Sequence, residues 1–286
     1  MKRLIIAAAA LGLLGGAPLA AANAQLDVPG TPKQDLQRFQ SYFKHKFPHL
    51  AFKDFANGTY AVGPKDDREQ WKSVLQFPPY EPGLAKGKKL FHTPFKNGKT
   101  YASCFAHGGK GIRQDYPRYD ARQGKVVTLE MAINQCREKN GEKPYPWGKG
   151  PLAQISAYMA HTADGRKLAV KVPDNPGAHA AYETGKTFYY SKRGQLDMSC
   201  ADCHVAHAGG KIRGNYISPA LGQPTGFPVY RAKWGYMGTL EKRFKGCNKK
   251  VRFKPYKLQS KQYRDLEYFL TYMSDGQPVK APAYRP

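Results

Sequence analysis

Five consecutive residues, Cys200-Ala201-Asp202-Cys203-His204, constrain this chain more than anything else in its 286 residues. Two thiols at that spacing can add across the vinyl groups of a haem, and the adjacent imidazole then reaches the iron. A chain that carries such an attachment must fold around a large, flat, apolar group. The competing uses of Cys-x-x-Cys are a redox dithiol and half of a zinc site, but nothing nearby supplies a second zinc pair. The motif occurs once, so one covalent haem c is expected.

The chain also repeats itself weakly. Gly87-Lys88-Lys89-Leu90-Phe91 matches Gly185-Lys186-Thr187-Phe188-Tyr189, 98 residues on. The segment 152–165 matches 263–276 at an offset of 111, and Cys136 matches Cys247 at the same offset. Three matches in order predict two copies of one fold, each opening and closing on a helix. In the second copy the opening helix is expected around Ala180 to Tyr190, with Gly185 letting another helix approach closely. The closing helix carries a stripe through Tyr263, Leu266, Phe269, Leu270 and Met273, with Gly276 as the expected C-cap. Pro- and Gly-rich chain lies between. The fold expected is mainly α: two tandem cytochrome c-like domains with long Pro/Gly-rich loops, the first without haem. The cluster Pro173-Asp174-Asn175-Pro176-Gly177 marks the boundary, giving a first domain of 25–172 and a haem-binding domain of 177–286.

Three cysteines remain of the five. Cys104 and Cys136 both fall in the first copy, 32 residues apart, and are expected to form a disulfide. At an offset of 99, Cys104 stands where the second copy has Cys203, while Tyr101 and Phe105 replace Cys200 and His204. Cys247 is left unpaired. It follows the haem motif and precedes the last helix, where a cytochrome offers its distal iron ligand. Met237 competes for that role, and spacing alone does not choose between them; His207 is too close in sequence to reach the far face.

The N-terminus has the pattern of an export signal over residues 1–24. Lys2 and Arg3 precede an apolar stretch from Leu4 to Leu14, and Ala22-Asn23-Ala24 fits a cleavage site. No later segment approaches eighteen uninterrupted apolar residues, so no membrane span is expected. Forty-six basic residues against 21 acidic ones give a formal charge of +25, a field that draws anions. The basic residues are scattered rather than blocked, and the chain is expected in the periplasm, so nucleic acid is not the expected partner.

Several segments together resemble the SoxA family, the cytochrome subunits of thiosulfate-oxidising SoxAX complexes. They are Cys200-x-x-Cys203-His204, Arg243-Phe-Lys-Gly-Cys247-Asn248, Leu266-Glu267-Tyr268 and Ser274-Asp275-Gly276. In the first copy, Ser103-Cys104-Phe105, Tyr116-Pro117, Thr128-Leu129-Glu130 and Cys136-Arg137-Glu138 add to the likeness, which runs from about residue 68 to the C-terminus. Departures at Tyr101 and Phe105 make the chain similar to the single-haem type. The resemblance implies an L-cysteine S-thiosulfotransferase, which joins thiosulfate oxidatively to a cysteine of the carrier SoxYZ while electrons leave through haem. It implies Cys247 as distal iron ligand and as the sulfur-carrying catalytic cysteine, His204 as proximal ligand, Arg243 as the substrate-binding arginine, and a SoxX-type small cytochrome c as partner. Arg243 and Cys247 are four apart and share a face if the segment is helical, which Gly246 and Asn248 leave open. A cation beside the thiol would favour thiolate and meet part of the substrate's charge; pairing of Arg243 with Glu241 or a haem propionate is the competing use. Lys242, Lys245, Lys249, Lys250 and Arg252 are either a solvated face or an electropositive funnel. The rival function is a plain electron-transfer cytochrome, which needs only the haem motif and a Met ligand.

Overall fold

The computed structural model describes Asn23 and residues 25–286. Apart from Asn23, the segment read as an export signal lies outside the described residues. The helices in chain order are α1 (Pro32–Lys46), α2 (Thr59–Val62), α3 (Lys65–Val74), α4 (Glu81–His92), α5 (Leu129–Lys139), α6 (Gly150–His161), α7 (Pro176–Tyr190), α8 (Leu240–Lys250) and α9 (Lys261–Met273). Short strands β1 (Arg118–Asp120) and β2 (Lys125–Val127) form one antiparallel hairpin, and β3 (Lys211–Ile212) and β4 (Asn215–Tyr216) another. A three-stranded sheet holds β5 (Val229–Arg231) between β6 (Tyr236–Gly238), which is antiparallel to it, and β7 (Ala283–Arg285), which is parallel. No helix among the described residues is long and apolar enough to cross a membrane.

The two copies share one order: opening helix, short helical turn, hairpin, then two helices. In the first these are α4, β1–β2, α5 and α6; in the second, α7, β5–β6, α8 and α9. In both, opening and closing helices cross at a glycine. A Cβ on Gly185 would lie 2.1 Å from the Asp265 carbonyl oxygen, and one on Gly87 would lie 2.0 Å from that of Gln154. Only hydrogen fits there, so α7 meets α9, and α4 meets α6, backbone to backbone. The hairpins lead into matched helix starts, where Thr128 accepts from the Met131 N–H and Thr239 from that of Lys242. α7 begins earlier than the apolar pattern suggests, because Asn175 accepts from the Gly177 and Ala178 N–H groups and caps it. α9 ends with Ser274 as its C-cap; Gly276, at φ 79°, lies two residues further on.

α1 belongs to the core of the second copy rather than to that of the first. Phe39 and Phe43 are buried with Tyr182, Tyr189, Phe269 and Met273. Buried Asp35 pairs with Lys186 of α7 at 2.8 Å and accepts from the Tyr182 hydroxyl at 2.8 Å. The first copy's interior is filled by Phe91, Phe95, Tyr101, Leu129, Ile133 and Met159. Tyr101 is fully buried between Phe91 and Phe95, and its hydroxyl accepts from Arg137 at 3.0 Å. A disulfide joins Cys104 to Cys136 beside these rings.

Three carboxyls are buried near the junction of the copies: Glu130 of α5, its repeat equivalent Glu241 of α8, and Glu267 of α9. Glu130 accepts from the Ser156 hydroxyl at 2.8 Å, and Glu241 Oε2 from the Gln259 N–H at 2.6 Å, while Glu241 Oε1 has no partner. Burial pushes the Glu241 carboxyl up to about 8, with Glu130 adding to the rise against the Gln259 hydrogen bond. A carboxyl raised in this way keeps a proton in the folded protein that the unfolded chain gives up. Its contribution is therefore fully present below the ordinary Glu range, near pH 4.5, and lost as pH climbs toward 8. Glu241→Gln is expected to flatten part of that decline and to be more stable than the parent at pH 8 by a few kcal/mol, since each tenfold change in proton affinity is worth about 1.4 kcal/mol. Denaturant midpoints of both proteins at pH 5 and pH 8 check this; parallel slopes would refute it.

Candidate active site

The haem-motif residues sit on one tight turn. The Ser199 N–H donates to Asp202 Oδ2 at 2.7 Å and the Asp202 N–H donates back to Ser199 Oγ at 3.0 Å. This reciprocal cap starts the turn, which winds on as a π-helix over Asp202–Ala206. Cys200, Cys203 and His204 all project from it and are partly buried. His204 Nδ1 lies 2.9 Å from the Ser218 carbonyl oxygen and 2.7 Å from the Gln223 side-chain amide. These two contacts engage Nδ1, which leaves Nε2 as the nitrogen that would meet a metal.

The segment carrying Arg243 and Cys247 is helical throughout. Leu240 and Phe244 bury one face of α8 in the second core. Asn248 does not break the helix: it is buried, and its side chain donates to the Tyr263 hydroxyl at 2.8 Å. Gly246 faces open space. Arg243 and Cys247 therefore lie one turn apart on the same face, and Cys247 stands beside the His204 imidazole. Met237 goes elsewhere, its terminal methyl packing against Gly83 of α4.

The electrostatics separate the three free thiols. Burial pushes Cys200 up to about 12, only partly opposed by Arg193, and burial also raises Cys203. Burial opposes ionisation of Cys247 too, but there Arg243, His204 and Lys250 outweigh it and hold the thiol at about 6. These charges favour the thiolate of Cys247, the form that ligates iron and attacks sulfur. Neither Arg243 nor Lys250 is in an ion pair among the described residues, and Glu241 turns instead to the Gln259 N–H.

Of the basic run on α8, the side chains do not act together. Lys250 stands by the thiolate, whereas Lys242 lies over the rings of Trp234 and Tyr236, 5.4 and 5.3 Å from their centroids. A cation that the sequence reading missed takes its place. Arg231, at the end of β5, is lowered to about 10 by burial and by the nearby Arg243, and its Nε donates to the Pro286 oxygen at 2.9 Å. It comes from a separate hairpin, so no local pattern ties it to Cys247. The donor set of two protonated thiols, an imidazole with its outer nitrogen occupied and a facing thiolate fits a haem c held in the second copy.

The family profile of the SoxA/TsdA cytochrome c domain matches residues 86–168 and 184–279. The chain is 50% identical over 264 residues to a Chlorobaculum tepidum protein named L-cysteine S-thiosulfotransferase subunit SoxA, covering 92% of this chain and 91% of that one. To the Allochromatium vinosum protein of the same name it is 47% identical over 256 residues, 89% of this chain and 90% of the other. Among solved structures, the crystal structure of SoxXA from P. pantotrophus is similar with a TM-score of 0.70 at 28% identity, over 76% of this chain and 84% of that one.

Proposed function

The chain belongs to the SoxA/TsdA cytochrome c family, and from that premise we propose that it is an L-cysteine S-thiosulfotransferase subunit acting in thiosulfate oxidation in the periplasm. One observation carries the reading: the Cys247 thiol stands beside His204 with Arg243 and Lys250 about it, and no carboxylate is paired to either cation among the described residues. A plain electron carrier has no use for a reactive thiolate amid unpaired cations, whereas a site for a sulfur-containing dianion needs both.

In this reading Cys200 and Cys203 would hold one haem covalently, and His204 and Cys247 would ligate its iron. When bound, the haem supplies an electron acceptor next to the reacting sulfur. Arg243 and Lys250 draw thiosulfate in and orient it, while Cys247 holds the sulfur being transferred. The overall change joins a carrier thiol to thiosulfate: one S–S bond forms, the S–H bond breaks, and one proton and two electrons leave. The carrier is SoxYZ, and a SoxX-type small cytochrome c is the bound partner that takes the electrons onward. The two copies act as two cytochrome c-like domains, divided at Pro173–Gly177, with haem in the second only. The Cys104–Cys136 disulfide and the buried Tyr101 fill the first.

The test uses the purified complex with its small cytochrome, thiosulfate, and a carrier protein bearing a single cysteine. The carrier is expected to gain one thiosulfate group by mass, and this chain to carry one haem by pyridine haemochrome. A haem that is reduced by a generic donor while the carrier mass never changes would support the electron-carrier rival instead.

A further inference from the structure

α1 lies outside both segments that match the family profile, yet its last residue reaches the haem-attachment turn. Lys46 Nζ donates to the Val205 carbonyl oxygen at 2.7 Å and to that of Ala206 at 2.7 Å. The Tyr42 hydroxyl, one turn earlier, donates to the same Val205 oxygen at 3.3 Å. These are the last carbonyls of the π turn, the groups a helix end leaves without partners. Lys46 is in no ion pair among the described residues. Its base is rigid, because Phe39 and Phe43 are in the core and Asp35 is tied to Lys186 and Tyr182.

We propose that Lys46 is a positioning residue for the proximal iron ligand: it clamps the carbonyls of the two residues after His204 and fixes a positive charge there that raises the haem reduction potential. The inference rests on the reading that His204 and Cys247 ligate the iron. The argument for the sign is electrostatic. Reduction adds negative charge to the haem, so a fixed cation nearby favours the reduced form. A thiolate ligand from Cys247 would favour the oxidised form, and the Lys46 charge held on the His204 turn would offset part of that bias. Clamping the turn also holds the imidazole plane, since Val205 follows His204 directly.

The experiment is a redox titration of the haem in the assembled complex, with absorption spectra recorded alongside. Lys46→Gln keeps a donor but drops the charge, and is expected to shift the potential negative with the haem attached and the thiolate-ligated spectrum retained. Lys46→Arg keeps the charge and is expected to titrate close to the parent. Tyr42→Phe removes the hydroxyl's bonds to Val205 and from Lys46 but no charge, so its potential should stay in place. An unmoved potential in Lys46→Gln overturns the proposal, as does a Tyr42→Phe shift of equal size, which would assign the effect to loosened packing. If Lys46→Gln does not accumulate, Lys46→Arg decides: a large shift with unchanged ligation refutes the charge role. Failure of the ligation reading looks different, since the parent itself would then show a methionine-ligated spectrum.

Discussion

Replacing Cys247 with serine is expected to abolish transfer of thiosulfate and to change the haem spectrum in the same protein. Both effects follow from one atom. Among the free thiols of the second copy Cys247 is the one whose neighbours favour the thiolate, and it stands beside the imidazole of His204. Serine keeps the size but has no comparable acidity or nucleophilicity, so on the proposed reading it would give up the ligand and the sulfur carrier together. Met237→Leu provides the contrast. Its side chain packs against Gly83, away from the site, and the substitution should leave the spectrum unchanged. A silent Cys247→Ser together with a spectral change in Met237→Leu would reverse the assignment. Absorption spectra of the two variants and one coupling assay are enough to decide.

Arg243→Ala is expected to separate what Cys247→Ser joins. The arginine is one turn from Cys247 and heads the favourable charges that hold its thiolate. A unit pair near 4 Å is worth about 4 kcal/mol at an effective dielectric near 20. Each 1.36 kcal/mol is tenfold in rate, so loss of a contact of that size lowers turnover by about 10³-fold. The haem should stay attached with little spectral change, because the guanidinium is not a ligand. Arg231 and Lys250 remain in the variant and set a floor under the loss. Turnover within a few-fold of the parent would show that thiosulfate is held elsewhere.

How much of this was legible in the sequence depends on how far apart the cooperating residues lie. The turn of Cys200, Cys203 and His204 is legible because its residues are contiguous. The two copies are legible because each helix crossing demands a glycine, and Gly87 and Gly185 keep their register. The helical state of α8 is not, since Gly246 and Asn248 both argue against it locally; the Asn248 contact with Tyr263 of α9 decides it. Arg231 escapes because a hairpin brings it in from outside the α8 segment. Glu130 and Glu241 look like ordinary acids in the first turn of a helix, where the dipole favours them. Their burial is tertiary: Glu130 faces Ser156 of α6, and Glu241 the N–H of Gln259. The seat of α1 on the second copy left no pattern at all, because its apolar face would suit either core.

That seat bears on the order in which the molecule can be completed. Lys46 meets Val205 across a separation of 159 residues, and Gln40 meets Asp275 across 235. Contacts of such span form late, since the intervening chain must first be brought to order. In a chain made from its N-terminus, α1 exists while α7 and α9 do not, and Phe39 and Phe43 lack their Tyr182 and Phe269 neighbours until both are present. The second core is thus closed by α1 and α9 together, and the turn of Cys200, Cys203 and His204 gains its Lys46 contacts across a long stretch of intervening chain.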